Sequence, residues 1–172
     1  MLRGFGACYF VESSGVAPSR MAGMLGARAG MFESAQIRIA ADASLQLACG
    51  THSHGQGHAT SFAQVVASRL GLPLAGIEVI EGDTARVPYG TGTFGSRSSM
   101  MGGAGIKFAS EKIVAKGKII AGALMQAEPA AVSYSQGTFR AGGSEVTFEA
   151  VARAAWDASK LPEGVTPGLD EG

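Results

Sequence analysis

Two glycine-rich stretches, each opening onto a helical pattern, constrain this chain more than any other feature. The first, Gly50-Thr-His-Ser-His-Gly-Gln-Gly-His58, joins an apolar strand pattern at Leu45 to Cys49 to a helical pattern at Thr60 to Leu70. The second, Tyr89-Gly-Thr-Gly-Thr-Phe-Gly-Ser-Arg-Ser-Ser99, leads into a longer helical pattern. Small residues before a helix start leave backbone amides accessible, and the helix dipole favours an anion there. Two such loops in one domain of 172 residues point to one extended, anionic ligand held between two helix starts.

The length suits a single domain with its own core. The 14 basic and 14 acidic residues cancel and form no like-charge blocks, which gives no footprint for nucleic acid or for a membrane surface. Only 16% of residues are charged and 26 are glycines. A self-sufficient domain carries about 25% charged residues, so part of this surface is expected to be covered by other protein or by cofactor. Cys8 and Cys49 lie in apolar, strand-like runs without Cys-x-x-Cys spacing and read as buried, reduced thiols. No apolar run is long enough to span a membrane. The first residues lack signal-peptide character, and the expectation is a cytoplasmic protein.

Along the chain, Gly6 to Glu12 reads as a strand and Ser13 to Met31 as a loop. Ala35-Gln-Ile-Arg-Ile-Ala alternates, Ala41-Asp-Ala-Ser turns, and Leu45-Gln-Leu-Ala-Cys alternates again, which predicts a hairpin delivering the first glycine loop. Phe62, Val65, Val66 and Leu70 share a helical face, with Gly71 and Pro73 as stop signals. Ile77 to Glu81 reads as a strand. From about Ser98 a helix is predicted, with Ile106, Ala109, Ile113, Gly117, Ile120 and Leu124 on one stripe and Pro129 ending it. A second hairpin spans Ala131 to Arg140. A strand at Val146 to Phe148 precedes a helix over Phe148 to Ser159, with Phe148, Val151, Ala152, Ala155 and Trp156 facing inward. Residues 161–172 read as a linker-like tail. The order predicts an α+β fold, a two-layer α/β sandwich with a mixed sheet.

Gly90-Thr-Gly-Thr-Phe-Gly95 matches the Gly-x-Gly-x-x-Gly dinucleotide pattern in letters, but a long loop with Pro88 precedes it and no acidic strand end follows at the required distance. His52, His54 and His58 form a His-x-His-x3-His cluster without a carboxylate or thiolate at ligand spacing. They read either as a metal site or as loop histidines bonding a ligand or the backbone. Gln56, between two glycines, can meet the donor and acceptor edge of a pterin or purine, or can brace its own loop. Ser96, Arg97, Ser98 and Ser99 offer hydroxyls, amides and a guanidinium suited to pyrophosphate; the plainer reading is an N-cap with a surface arginine. No residue stands out as a catalytic acid, base or nucleophile, and none as a metal ligand.

At these residues the sequence resembles the molybdenum hydroxylases, the xanthine oxidase family. Gly55-Gln-Gly-His58 before a helix carries the resemblance, as do Leu70-Gly, Val79 to Gly82-Asp-Thr84 and Pro88-x-Gly-x-Gly-Thr-x-Gly-Ser-Arg-Ser98, in that order. It extends over Gly4 to Trp156 and is greatest to the carbon monoxide dehydrogenase type of large subunit. The resemblance implies a molybdopterin-binding-domain-like fold over residues 1–160, from the second molybdopterin-binding region of that subunit. The cofactor would be molybdopterin with molybdenum, often as the cytosine dinucleotide. By resemblance Gln56, Gly57, His58 and Thr60 would contact pterin or phosphate, and Thr93, Gly95, Ser96, Arg97 and Ser98 would hold the dinucleotide side.

Large subunits of that family are several times longer than this chain, and their substrate loop and glutamate base have no counterpart here. The implied partners are the remainder of a large subunit and its flavin and iron-sulfur subunits. The implied role is to position the cofactor of an oxidoreductase, without independent catalysis. The contrasting readings are a stand-alone, non-catalytic binding or assembly module that keeps the fold, and a histidine-cluster metal protein.

Overall fold

The computed structural model describes residues 3–12, 14–15, 19–28 and 31–172. Its central sheet begins with the predicted hairpin, β1 (Ala35–Ile39) and β2 (Leu45–Cys49). The strands pair antiparallel with Ile37 opposite Leu47. Alternation places Ala35, Ile37 and Ile39 inside and Gln36 and Arg38 in solvent, the pattern of a sheet covered on one face. From β2 the chain passes through α2 (His58–Leu70) to β3 (Ile77–Ile80), which pairs parallel with β2. This strand–helix–strand unit puts both glycine-rich loops at the carboxyl ends of adjacent parallel strands, where ligands of open α/β sheets bind.

Helix α2 ends as its sequence demands. Gly71 adopts φ 61° and its amide bonds the Ala67 carbonyl, the left-handed stop that favours glycine. The second long helix starts with a π turn at Ser98–Gly102 and continues as α3 (Gly103–Met125). It stops four residues before Pro129, because Gln126 takes a left-handed C-cap at φ 54° and Pro129 opens a separate 3-10 turn. Phe62, Val66 and Leu70 of α2 and Ile106, Ala109, Ile113 and Ile120 of α3 join the inner face of the sheet in one core.

A smaller antiparallel sheet, β4 (Ser133–Ser135), β5 (Thr138–Ala141) and β6 (Ser144–Thr147), packs beside α3. Gln136 and Gly137, at φ 48° and 71°, form its first turn, the primed geometry that matches strand twist. Phe139 lies so near Gly117 that a Cβ there would come within 2.6 Å of its ring. Helix α4 (Phe148–Ala155) is capped by the Thr147 hydroxyl, which accepts from the Ala150 amide, and buries Phe148, Val151, Ala152 and Ala155. The architecture is the mixed-sheet α/β sandwich expected, with the order β3-β2-β1-β7 in the main sheet, β7 being Leu169–Glu171.

Several local expectations are corrected. Residues 6–12 form no strand; Tyr9, Phe10 and Val11 are 97%, 80% and 100% exposed, since an apolar run becomes a strand only where a neighbour accepts its ladder bonds. Cys8 is exposed, whereas Cys49 is buried. In the segment read as a loop, Ser19–Met24 is a short helix, α1, and residues 13, 16–18, 29 and 30 lie outside the described residues. The last helix ends at Ala155, and Trp156, expected to face inward, is 39% exposed, with its indole N–H donating to the Ile39 carbonyl at 2.9 Å. The tail read as linker-like returns to the sheet: Leu169–Glu171 is β7, an edge strand antiparallel to β1 with Leu169 fully buried.

Candidate functional site

The loop after β2 and the loop after β3 cross at Gly50 and Gly90. A Cβ on Gly90 would lie 2.2 Å from the Gly50 carbonyl oxygen, and a Cβ on Gly50 equally close to the Tyr89 carbonyl. Only glycine permits this backbone approach. The Gly92 amide donates to the Gly50 carbonyl at 3.2 Å, and the His52 amide donates to the Thr93 hydroxyl at 3.0 Å. Thr93 Oγ1 in turn lies 2.8 Å from Ser98 Oγ. Loop one is thereby tied through Thr93 to the start of the second helix, and the two glycine stretches form one surface.

Neither helix start on that surface is capped by a side chain. At α2 the N-cap is Gly57 with φ 82°, and its carbonyl already takes the Thr60 and Ser61 amides. At the π turn the N-cap position is Arg97, again without a side-chain bond. The amides preceding the first internal bonds therefore remain available to an anion, reinforced by the partial positive charge of each helix end. Gly55 and Gly57 are exposed, and a Cβ at either would meet nothing within 4 Å. Beside the crossing lies a cleft of about 450 Å³ lined by Gly50, Thr51, His52, Asp83, Pro88 and Gly90 among others.

Beneath this surface sit two buried ionic clusters. The Arg97 guanidinium, with no exposure, pairs with Glu33 and donates to the carbonyls of Gly92 at 2.7 Å, Met31 at 3.1 Å and Phe32 at 3.2 Å. Glu33 Oε1 also accepts the Thr91 amide at 3.2 Å. In the second cluster Glu81 Oε1 accepts from Thr51 Oγ1 at 2.6 Å and lies 2.8 Å from His58 Nδ1. The His58 ring stacks on Phe62 with centroids 4.7 Å apart. Burial, followed by the charges of Glu81 and Glu33, pushes the Cys49 thiol up to about 12, so it stays protonated and inert between the clusters.

The structure gathers the residues singled out from sequence into one place but gives them different work. Gly57, Thr60, Gly95 and Ser96 lie on or near the joint surface, with Ser96 at φ 51°. Gln56 is exposed and folded onto its own loop: its Oε1 accepts the His54 amide and its Nε2 donates to the His52 carbonyl at 3.4 Å. Arg97 is no surface arginine; its two terminal nitrogens are committed inward. His52 and His54 touch edge to face at 5.4 Å while His58 turns to Glu81. Among the described residues no three His, Cys, Asp or Glu side chains converge as a metal site, and no described helix is long and apolar enough to cross a membrane. Glu33 carried no sequence signal, and Glu81 lay within the Val79 to Thr84 motif without a role read for it, since each meets its partner only through the tertiary fold.

A family model described as the molybdopterin cofactor-binding domain matches residues 1–167. The carbon monoxide dehydrogenase large chain of Hydrogenophaga pseudoflava is 41% identical over 170 residues, covering 98% of this chain and 21% of that protein. The nicotine 6-hydroxylase large subunit of Paenarthrobacter nicotinovorans is 34% identical over 171 residues, covering 97% and 21%. A crystal structure of Cu,Mo-CO dehydrogenase in its carbon monoxide reduced state superposes with a TM-score of 0.85 at 37% identity, covering 93% of this chain and 20% of that one. The chain thus spans about a fifth of the length of the relatives it matches.

Proposed function

The chain belongs to the molybdopterin cofactor-binding domain family, and from that premise we propose that its two joined loops hold a single pterin dinucleotide. The observation that carries this reading is the tie from His52 through Thr93 to Ser98, which sets two uncapped helix starts on one surface. One start suits the pterin side and a phosphate; the other suits the nucleotide side of a pyrophosphate-linked ligand. The fit rests on open amides, exposed glycines that admit close approach, and the absence of competing carboxylates among the caps.

In this reading Gln56, Gly57, His58 and Thr60 form the pterin wall, with the Gln56 amide exchanging its loop bonds for the heterocycle edge. Thr93, Gly95, Ser96 and Ser98 form the dinucleotide wall through amides and hydroxyls. Arg97 lies beneath that wall in its ion pair with Glu33, and in this reading it shapes the loop through the backbone carbonyls it holds rather than by direct contact. The form of cofactor the site suits is the cytosine dinucleotide, and the binding domain takes in the tail beyond residue 160 as well, since β7 completes its main sheet.

When bound, the molybdenum of such a cofactor supplies the redox centre, while the protein binds, orients and shields it. The intact enzyme we propose is a carbon monoxide dehydrogenase-like oxidoreductase whose large subunit works with flavin and iron-sulfur subunits. This chain contributes cofactor positioning and no acid or base. Calorimetry with molybdopterin cytosine dinucleotide, or CDP as its nucleotide half, tests the assignment. Saturable binding weakened by both Gln56→Ala and Ser98→Ala is expected for the dinucleotide; binding indifferent to both variants would place the ligand elsewhere.

A further inference from the structure

We infer that Glu81 is a positioning residue that locks His58 in its Nδ1–H tautomer, so that Nε2 is offered to the ligand as a hydrogen-bond acceptor. The inference rests on the cofactor reading above for the ligand's class, but not for the tautomer. An ionised carboxylate only accepts, so the 2.8 Å contact between Glu81 Oε1 and His58 Nδ1 requires the proton on Nδ1. Glu81 is itself held by Thr51 Oγ1 at 2.6 Å. The stack on Phe62 fixes the ring plane. Both side chains are nearly buried, at 7% and 9% exposure, so water does not compete effectively for Nδ1.

Position adds a second constraint. His58 is the first residue of α2, at the helix start that the proposed ligand would face. A neutral ring with Nδ1 protonated leaves Nε2 with a lone pair and no N–H. No protein partner for Nε2 exists among the described residues, nor is it an orphaned buried atom. A ligand group meeting it must therefore bring a donor: an N–H of the pterin's amino or lactam edge, and not a fully ionised phosphate oxygen. The same carboxylate that aligns the ring thus discriminates between the two ends of a pterin dinucleotide.

Glu81 also ties the elements that set the gap between the helix starts. Thr51 and Phe62 both approach Gly102 of the π turn, where a Cβ would lie 3.1 Å from each. Alignment of His58 and spacing of the walls are consequently linked through one carboxylate.

The test is long-range ¹H–¹⁵N correlation of the His58 ring in the full 172-residue chain at pH 8, assigned through its proximity to Phe62. A pyrrole-type Nδ1 and a pyridine-type Nε2 are expected in the wild type, with Glu81→Gln shifting the ring toward the Nε2–H form. An Nε2–H or imidazolium pattern in the wild type overturns the inference without need of any variant. Titration with pterin should move the Nε2 resonance upfield, inorganic pyrophosphate should not, and Glu81→Gln should weaken pterin binding about tenfold. Pterin that perturbs the loop amides yet leaves Nε2 unmoved overturns the ligand role while the cofactor reading stands. Pterin that perturbs nothing defeats the cofactor reading, and the nitrogen pattern of the free chain still decides the tautomer.

Discussion

Arg97 and Glu33, 64 positions apart in sequence, form an ion pair in which neither side chain has any exposure to solvent. The pair closes the second glycine loop over the segment before β1. Its guanidinium gathers three backbone carbonyls while its carboxylate partner accepts the Thr91 amide. Arginine suits this place because its planar fork can bond several acceptors at once and keeps its charge when buried. The loop that presents Thr93 and Ser98 is therefore preorganised from below.

Removing the guanidinium should expose how much the fold depends on that pair. Arg97→Ala leaves Glu33 buried without its counter-charge, and a loss of about 3–5 kcal/mol is expected, a large share of a typical domain's stability. Arg97→Lys keeps the charge but not the fork, and about 1–3 kcal/mol is expected for the carbonyls it abandons. Urea denaturation of the two variants checks the order; an Arg97→Lys as unstable as Arg97→Ala would mean that the fork, and not the charge, dominates.

The glycine crossing makes a prediction with opposite signs at two glycines. Gly90→Ala drives a methyl into the Gly50 backbone at 2.2 Å, and backbone yields at a cost of about 1–3 kcal/mol. Gly103, helical with φ −61° and with nothing within 4 Å of its Cβ position, should accept alanine with a gain of about 0.5–1 kcal/mol. Thermal melts should shift down for the first variant and up for the second.

The two thiols should separate cleanly. Exposed Cys8 should react with a disulfide reagent at pH 8 in the native protein, and Cys49 only after denaturation, giving one thiol and then two. The raised Cys49 pKa also has a consequence for stability. A group protonated more tightly in the fold stabilises fully below its unfolded value of 9.0, and that contribution is lost as pH rises from there toward about 12. Burial first, then the Glu149 charge, raises the Tyr134 phenol in the same direction. Stability should therefore fall steadily on the alkaline side, less steeply in Cys49→Ala, as denaturation midpoints measured from pH 8 to 11 would show.

The sequence made the frame of the site legible because period and punctuation are local. Ala35, Ile37 and Ile39 alternate, Phe62, Val66 and Leu70 recur at helical spacing, and Gly71 stops the helix; each signal lies within the element it specifies. The two glycine loops were visible for the same reason, and the parallel pairing of β2 with β3 brings them together. What escaped is nonlocal. Arg97 looked like a ligand-facing or plain surface arginine because Glu33 and the carbonyls of Met31 and Phe32 reach it only in three dimensions. Glu81 looked like the last residue of a strand, with nothing nearby to announce His58 and Thr51 as its partners. Residues 6–12 and Leu169–Glu171 exchanged roles, since strand formation depends on an available edge: β1 offered one to the tail.

The central claim, that both loops hold one ligand, is tested most directly by an amide ¹H–¹⁵N titration of the chain with molybdopterin cytosine dinucleotide. The amides of Gly57, His58 and Ala59 and those of Ser98, Ser99 and Met100 should move along a single isotherm, with one Kd shared by both helix starts. Thr93→Val, which removes the hydroxyl between His52 and Ser98, should weaken that isotherm at both sets of amides together. Shifts confined to one loop, or two isotherms with separate dissociation constants, would contradict the account.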